Sequence, residues 1–336
     1  MKTCVLSDGA WGTVLALLLL DNGHKTSLWG PFPEYIAEMK KSGVNSKFLP
    51  GEKLNPDLIL EDDIGKAVAG CGVIVLASPS QYLRGTLNKL KPHLKPDQIL
   101  VNVAKGIEND SLKRMSELTH EILGNSPYAV LSGPSHAEEV VKKHPAAVVV
   151  ASTNIKYAET VQSALMNNYF RVYSSDDVVG LELGGALKNV LAIAAGVIDG
   201  MKIGDNPKAA LMTRGIAEMA RLGVALGGKY ETFSGLSGIG DLIVTCTSGF
   251  SRNRHVGEEL GRGKKIDEIL AAMGMVVAEG VKTAKSAYAL ARKVNVDTPI
   301  INEVYYVLYE NKNPKQAVTD LMGRKPRGEN DFILSK

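Results

Sequence analysis

Short apolar runs alternate with segments of helical periodicity through the first half of the chain. Such runs, without polar alternation, are typical of strands that are buried on both faces. The predicted strands cover residues 3–6, 25–29, 73–77, 99–103, 129–131, 146–151 and 170–173. The predicted helices between them cover residues 14–20, 34–42, 63–69, 81–94, 112–123 and 155–166. This alternation predicts an α/β fold with a doubly wound, largely parallel sheet.

The pattern changes after Asp177, where the apolar runs give way to helical periodicity alone. Predicted helices cover residues 179–201, 209–226, 251–262, 282–293, 300–309 and 314–322, and no further strand is predicted. We therefore expect two domains, an α/β domain over residues 1–178 and an all-α C-terminal domain over residues 179–336.

Composition is that of an ordinary globular protein. The 336 residues suffice for two domains with substantial cores, and 45% hydrophobic and 22% charged residues are typical values. A net charge of +3, from 39 basic and 36 acidic residues, argues against nucleic acid or a membrane surface as a partner. A small anionic substrate is compatible with this charge.

The spacing of the cysteines and the hydropathy of the chain exclude further classes of protein. Cys4, Cys71 and Cys246 lie far apart without a CxxC pair, which argues against a disulfide framework and a zinc site, so we expect no metal. The apolar run over residues 14–20 is too short to span a bilayer, and no signal peptide is apparent. We expect a cytoplasmic protein with no integral membrane segment.

The first predicted strand–helix turn has the pattern of a dinucleotide-binding site. The G-x-G-x-x-G fingerprint is incomplete, because Ser7 stands first, but Gly9 and Gly12 are in place. The alternative is an ordinary strand–helix turn. At the end of the second strand, an acidic residue usually indicates NAD and a basic residue indicates NADP. Pro31 lies there in this chain, and the nearest acid is Glu34. The cofactor is therefore NAD or NADP, with the preference left open.

Two lysines are candidates for chemistry. In the predicted helix over residues 179–201, Lys188 shares faces with small residues, including Gly184 and Gly185. Glycine is unfavourable inside a helix, so two of them suggest that another group approaches the helix backbone there. The small residues around Lys188 would leave an open strip on the helix surface, with the Lys188 ammonium as its one charge. A lysine in an apolar setting can exchange a proton near neutral pH, although a surface lysine would show the same pattern. Lys105 follows a predicted strand, where it faces either a ligand crevice or solvent.

Three further segments are candidates for a functional site. Asp241 lies between glycines in an apolar setting, and the cationic run over residues 251–254 enters a predicted helix. Helix N-terminal amides and a guanidinium are both suited to phosphate, although a capped helix with solvated arginines is the alternative. Gly133 and Ser135 offer donors in a loop that opens another helix. His255 has no partner pattern for catalysis.

The order of these segments resembles bacterial NAD(P)-dependent sn-glycerol-3-phosphate dehydrogenase. The resemblance extends from about residue 1 to about residue 325. The segments that carry it are Ala10-Trp11-Gly12-Thr13, Ala104-Lys105-Gly106-Ile107-Glu108, Ser132-Gly133-Pro134-Ser135, Gly184 to Asn189, Gly240-Asp241-Leu242, Ser251-Arg252-Asn253-Arg254, and Val277 with Glu279-Gly280-Val281.

The resemblance implies reversible reduction of dihydroxyacetone phosphate to sn-glycerol 3-phosphate, which supplies phospholipid synthesis. It implies a Rossmann domain before an all-helical domain, an active site between them, and a homodimer packed through the helical domain. It makes Lys188 the general acid/base and lets Lys105 stabilise alkoxide, while Asn189, Asp241 and Thr245 orient Lys188 or the substrate. The implied substrate contacts are Lys105, Gly133, Ser135, Asp241, Ser251, Arg252 and Asn253. The implied cofactor contacts are Gly9, Ala10, Trp11, Gly12, Pro31, Lys105, Ala137, Arg252, Val277 and Glu279.

The departures from the family pattern cluster on the cofactor side. Ser7-Asp8 replaces glycine and a small residue, Ala10 replaces serine, Pro31 replaces a frequent basic residue, and His136 replaces an aromatic residue. We therefore predict weakened or altered cofactor binding without a strong NADPH preference. Two alternatives stay open: another two-domain dehydrogenase, acting on a hydroxy acid or ketopantoate, and a non-catalytic dinucleotide-binding sensor.

Overall fold

The computed structural model describes residues 1–274, 277–326 and 328–329. They form two compact units. The first unit comprises Met1–Ala104 and Met115–Val178. The second comprises Lys105–Arg114 and the described part of residues 179–336. Lys105 therefore belongs to the helical unit, although a strand of the first unit ends shortly before it, at Asn102.

An eight-stranded sheet forms the centre of the first unit, in the order β3-β2-β1-β4-β5-β6-β7-β8. Its strands are β1 (Lys2–Leu6), β2 (Lys25–Trp29), β3 (Ile59–Glu61), β4 (Val73–Leu76), β5 (Ile99–Asn102), β6 (Tyr128–Ser132), β7 (Ala146–Ala151) and β8 (Phe170–Ser175). All neighbouring pairs are parallel except β6 and β7. The largely parallel, doubly wound sheet is thus confirmed. β3 was not predicted, because three residues are too few for a recognisable pattern.

Helices of the first unit follow the predicted alternation, with ends that differ by a few residues. They are α1 (Ala10–Asp21), α2 (Pro33–Ser42), α3 (Ile64–Val68), α4 (Leu83–Leu90), α5 (Met115–Leu123), α6 (Ala137–Val140) and α7 (Ile155–Leu165). The sheet order changes direction between β1 and β4. In open α/β sheets, ligands bind at the carboxyl ends of the strands beside such a reversal. The β1–α1 turn lies at this place.

The second unit contains no strand in its described residues from 179 onward, and its segment Lys105–Arg114 forms one isolated β-bridge, between Ile107 and Arg114. Its helices are α8 (Val178–Met201), α9 (Asp205–Ala225), α10 (Tyr230–Phe233), α11 (Asp241–Thr247), α12 (Arg252–Gly261), α13 (Ile266–Met273), α14 (Glu279–Lys293), α15 (Pro299–Tyr309) and α16 (Pro314–Met322). A π-helical turn, Leu236–Gly240, precedes α11. α10, α11 and α13 were not predicted, because each is short and the segment before α11 is rich in glycine. The predicted all-α character is confirmed for the described residues.

α8 is the central helix of this unit. It is long and apolar enough to cross a membrane by length and composition, with a mean hydropathy of 1.5, but 94% of that window is buried inside the protein. These properties are those of a core helix, and no other described helix meets the same criteria.

α8 and α12 pack backbone against backbone at paired glycines. A Cβ atom at Gly196 would lie 2.0 Å from the Arg254 carbonyl oxygen, and one at Gly257 would lie 1.9 Å from that of Ile193. Gly200 and Gly261, one turn further along each helix, are equally crowded by backbone. This contact fixes α12, and therefore the cationic run at its start, against the helix that carries Lys188.

Candidate active site

Two lysines share one buried carboxylate in the second unit. The Lys188 Nζ atom lies 2.7 Å from Asp241 Oδ1, and the Lys105 Nζ atom lies 2.6 Å from Asp241 Oδ2. The Asp241 side chain is 1% exposed and that of Lys188 is 7% exposed. Two ammonium groups on one carboxylate leave one excess positive charge. The arrangement therefore suits a ligand that carries or develops negative charge.

Thr245 completes the immediate surroundings of Lys188. Its hydroxyl donates to the Asp241 carbonyl oxygen at 2.6 Å and accepts from Lys188 Nζ at 2.7 Å. An ammonium group has three N–H donors. Asp241 and Thr245 engage two of them within the described residues, so the third N–H of Lys188 could serve a ligand.

The charges of this cluster shift its pKa values in a consistent way. Burial lowers the pKa of Lys188, the charge of Asp241 opposes this shift, and the charge of Lys105 adds to it, so that the resulting pKa is about 8. Burial alone would raise the pKa of the Asp241 carboxyl, but the two lysine charges outweigh it and hold that pKa below its ordinary value. Asp241 therefore stays ionised while Lys188 can gain and lose a proton close to neutral pH.

The local fold explains how α8 and Asp241 come together. A Cβ atom at Gly184 would lie 2.8 Å from the Ser237 carbonyl oxygen, and Ser237 Oγ donates to the Leu181 carbonyl oxygen at 3.1 Å. The close approach expected at this glycine is confirmed. The approaching group is the protein's own π turn, however, so the open strip expected beside Lys188 is wrong at Gly184. The turn leads directly into α11, whose first residue is Asp241.

The short segment that carries Lys105 is tied to the helical unit. Asn189 Nδ2 donates to the Lys105 carbonyl oxygen at 3.2 Å, and Ser286 Oγ donates to the Ile107 carbonyl oxygen at 3.3 Å. The segment ends in an ion pair of 2.7 Å between Arg114 and Glu182. Glu182 carries no pattern that sequence reasoning could have recognised, because its partner lies in another part of the chain.

Asn189 and Asn253 form a bridge between three helices. Asn253 Nδ2 donates to Asn189 Oδ1 at 2.9 Å, and the Gly280 amide donates to Asn253 Oδ1 at 2.8 Å. A Cβ atom at Gly280 would lie 2.4 Å from the Asn189 carbonyl oxygen, so α14 also approaches α8 closely. Asn253 is 8% exposed. Its contact with a substrate phosphate stays a prediction, and in the structure it joins α8, α12 and α14.

The cationic run at the start of α12 separates into two parts. Ser251 caps the helix by accepting from the Arg254 amide at 3.2 Å, and Arg254 pairs with Asp199 at 2.6 Å. Arg252 is exposed, and its guanidinium donates to the Val277 carbonyl oxygen at 3.2 Å. Arg252 thus lies beside the predicted cofactor segment, which continues to Glu279, the first residue of α14.

The β1–α1 turn of the first unit keeps the geometry of a dinucleotide turn. Ser7, at the first fingerprint position, has φ of 132°, a backbone conformation that favours glycine. A Cβ atom at Gly12 would lie 2.2 Å from the Ser7 carbonyl oxygen, so only glycine fits there. Gly9 caps α1 without a side-chain hydrogen bond, and no acidic residue occupies the first turn. The N-terminal amides of α1 therefore fit a dinucleotide pyrophosphate.

Asn45 supports this turn and was not predicted. Its Nδ2 atom donates to the Asp8 carbonyl oxygen at 2.7 Å and to Thr13 Oγ1 at 2.8 Å, and Tyr35 Oη donates to its Oδ1 atom at 2.6 Å. Asn45 is fully buried. It follows α2 in a loop whose sequence has no distinctive spacing, so its role emerges only from the folded chain.

The remaining predicted positions of the first unit lie in loops and on α1. Trp11 is half-buried, with its ring centroid 6.3 Å from that of Phe170, and Pro31 is exposed just after β2. Gly133 has φ of 139° after β6, and Ser135 Oγ donates to its carbonyl oxygen at 3.0 Å. Two further predicted cofactor contacts are the first residues of helices. Ala10 begins α1, and Ala137 begins α6, directly after His136. Their contacts with ligands stay predictions.

No group of three or more His, Cys, Asp and Glu side chains that could hold a metal ion is present among the described residues. The three cysteines are free and buried. The chemistry of the cluster around Lys188 thus consists of ammonium, carboxylate and hydroxyl groups.

Comparison with known proteins gives consistent matches along nearly the whole chain. Residues 2–158 match the family described as NAD-dependent glycerol-3-phosphate dehydrogenase N-terminus, and residues 177–319 match the corresponding C-terminus. A glycerol-3-phosphate dehydrogenase [NAD(P)+] of Syntrophotalea carbinolica is 51% identical over 98% of this chain and 100% of its own. The enzyme of the same name from Geobacillus thermodenitrificans is 50% identical over 98% and 97%.

Comparison with solved structures gives the same family. Glycerol-3-phosphate dehydrogenase from Coxiella burnetii superposes with a TM-score of 0.93 at 38% identity, covering 96% of this chain and 99% of that chain. A ketopantoate reductase from Ralstonia eutropha reaches a TM-score of 0.61 at 14% identity, over 95% and 100%. At that identity the second likeness concerns the fold alone.

Proposed function

This chain belongs to the NAD-dependent glycerol-3-phosphate dehydrogenase family, and we propose that it reversibly reduces dihydroxyacetone phosphate to sn-glycerol 3-phosphate, with Lys188 as the proton donor. The bound dinucleotide, in its reduced form NADH or NADPH, would supply the hydride that adds to the substrate's carbonyl carbon. The observation that carries the proposal is the cluster of Lys188, Lys105 and Asp241 in a chain that matches the family at both ends.

Lys188 holds the proton that the reaction needs. Its Nζ atom donates this proton to the carbonyl oxygen of dihydroxyacetone phosphate as the hydride arrives, and takes it back from the hydroxyl in the reverse reaction. A pKa of about 8 allows both directions near neutral pH. Thr245 and Asp241 hold two N–H groups of Lys188, so the third is aimed by its neighbours. Asn189 acts more remotely, by holding the Lys105 backbone.

Lys105 stabilises the negative charge that develops on the substrate oxygen. Asp241 keeps the two ammonium groups apart, one on each carboxylate oxygen, and offsets their mutual repulsion. Because the groups are already placed before the substrate arrives, little reorganisation is needed during the reaction.

Arg252 is the residue that we assign to the substrate phosphate in the helical unit. It is exposed at the N-terminus of α12, where helix amides and a forked guanidinium both favour phosphate. Ser251 and Asn253 hold the start of α12, and Gly133 and Ser135 are the assigned contacts of the first unit. Arg252, Lys105, Val277, Glu279, Pro31 and Ala137, with the residues Gly9 to Gly12, are the assigned cofactor contacts.

The physiological assignments rest on the family resemblance. We assign the chain to the synthesis of glycerol 3-phosphate for phospholipids, in the cytoplasm, as a homodimer packed through its helical domain. Light scattering of the purified protein tests the dimer, since a mass near 36.0 kDa would contradict it.

The reaction is tested by following oxidation of reduced nicotinamide with dihydroxyacetone phosphate, using NADH and NADPH in parallel. Turnover with either cofactor supports the proposal. Ketopantoate and a simple keto acid serve as controls, because they lack the phosphate that Arg252 would bind. Preference for those substrates would favour the other two-domain dehydrogenases. A folded protein without turnover on any substrate would favour the non-catalytic sensor.

A further inference from the structure

Asp8 places a carboxylate at the end of β2. Its Oδ2 atom lies 2.6 Å from where a Cβ atom of Gly30 would be, and Gly30 directly follows β2. The Ser7 amide donates to the Trp29 carbonyl oxygen at 2.9 Å, which holds the β1–α1 turn against this strand end. The acid that sequence reasoning sought after β2 is absent there. The neighbouring turn supplies one instead.

The Asp8 carboxylate is buried without complete hydrogen bonding. The residue is 4% exposed, and its Oδ2 atom has no hydrogen-bond partner among the residues that the structure describes. Burial raises the pKa of this carboxyl, while the backbone amide of Asp8 and, to a smaller extent, the charge of Lys47 oppose the shift. A buried acceptor without a donor is unfavourable for folding, so such a group calls for a functional explanation.

The turn itself does not need this carboxylate. Asn45 and Thr13 bind the backbone carbonyl oxygen of Asp8, not its side chain. An alanine at this position would keep both contacts. The fold therefore does not explain why an acid stands where the family pattern has a small residue.

We propose that Asp8 determines cofactor choice by accepting a hydrogen bond from the adenosine ribose of NAD and by disfavouring the 2′-phosphate of NADP. Rossmann folds place an acid at the end of the second strand for this purpose. In this chain the acid reaches the same place from the first turn. The inference rests on the proposed dehydrogenase function and adds a preference to it.

The surroundings agree with a preference for NAD. Gly30 and Pro31 offer no cation at the end of β2, and the nearest acid along the chain, Glu34, is exposed in the first turn of α2. Lys47 lies over the Tyr35 ring, with Nζ 4.1 Å from its centroid, and its charge acts on Asp8. Lys47 is the cation that could bind a 2′-phosphate instead.

The test compares dissociation constants of NADH and NADPH, measured by nucleotide fluorescence on the full-length protein without substrate. We expect the unchanged protein to bind NADH about tenfold or more tightly than NADPH, because like charges side by side are strongly unfavourable. Asp8→Ala should reduce this ratio to within about threefold, mainly by tighter NADPH binding. Asp8→Asn, which keeps the side chain's size, should do the same and covers the case that Asp8→Ala misfolds. Glu34→Ala is the matched control and should leave the ratio unchanged.

A preference of the unchanged protein for NADPH would overturn the inference and point to Lys47. The inference would also be overturned if folded Asp8→Asn kept the ratio of the NADPH and NADH dissociation constants of the unchanged protein. A change of this ratio in Glu34→Ala, and not in the Asp8 variants, would overturn it as well. Turnover of dihydroxyacetone phosphate with NADH is measured on the same samples. If that turnover is present while the ratio is close to one, the inference fails and the dehydrogenase function stands. If neither nucleotide binds, both fail.

Discussion

Replacement of Lys188 by methionine separates proton transfer from cofactor binding. Methionine has a similar length and suits an apolar site, and the variant still leaves Asp241 paired with Lys105 at 2.6 Å. We therefore expect Lys188→Met to fold. Loss of the Lys188 ammonium removes the general acid. General acid catalysis is worth about 10²- to 10⁴-fold in rate, or about 3–5 kcal/mol in the activation barrier.

The assay is steady-state reduction of dihydroxyacetone phosphate together with the dissociation constant of NADH. The expected result is a large fall in kcat with an unchanged dissociation constant. Lys208→Met is the matched control, because Lys208 is also ion-paired, with Asp199 at 2.8 Å, but lies outside the cluster around Asp241. It should keep its turnover.

The pH dependence of the unchanged protein gives a second readout of the same residue. Reduction needs protonated Lys188, so its rate should fall as the pH rises through about 8, the pKa of this lysine. Oxidation of glycerol 3-phosphate needs the neutral amine, so its rate should rise over the same range. Lys188→Arg should lose this pH dependence and most turnover, because a guanidinium does not release its proton. Full turnover in folded Lys188→Met would refute the reasoning.

Three further predictions concern the fold that holds the site. Ser7→Gly should raise the free energy of unfolding by about 1 kcal/mol in urea titrations, because Ser7 has φ of 132°; an unchanged midpoint would show that the turn is unstrained. Gly257→Ala should destabilise the protein by about 3 kcal/mol or prevent folding, because its Cβ atom would lie 1.9 Å from the Ile193 carbonyl oxygen. Gly85→Ala, in α4 with open space around it, is its control and should be neutral or stabilising. Burial raises the pKa of Glu218 from 4.5 to about 7, so the folded protein binds this proton more tightly and stability should fall as pH rises between those values. Glu218→Gln should show a weaker pH dependence of its unfolding midpoint over that range, and an unchanged slope would contradict the assignment.

Segments that are close in sequence were predictable because their signals are local. The βαβ opening follows from an apolar run, a glycine-containing turn and an apolar helix, and Gly12 is required by a backbone carbonyl five residues earlier, that of Ser7. The family resemblance added residue roles that no spacing could supply. The paired glycines of α8 and α12 also left a readable signal, since each pair lies four residues apart, but it was missed.

By itself, the sequence determined the alternation of strands and helices, the change to helices after Asp177, and the order of the chemical segments. Only the tertiary structure decided which distant groups meet. Lys105 joins Asp241 across 136 positions of the chain, Asn253 binds Gly280, and Asp8 lies beside Gly30. The physical reason is that periodicity records which side of an element is buried, whereas a hydrogen bond or ion pair depends on how folded elements approach each other within a few tenths of an ångström.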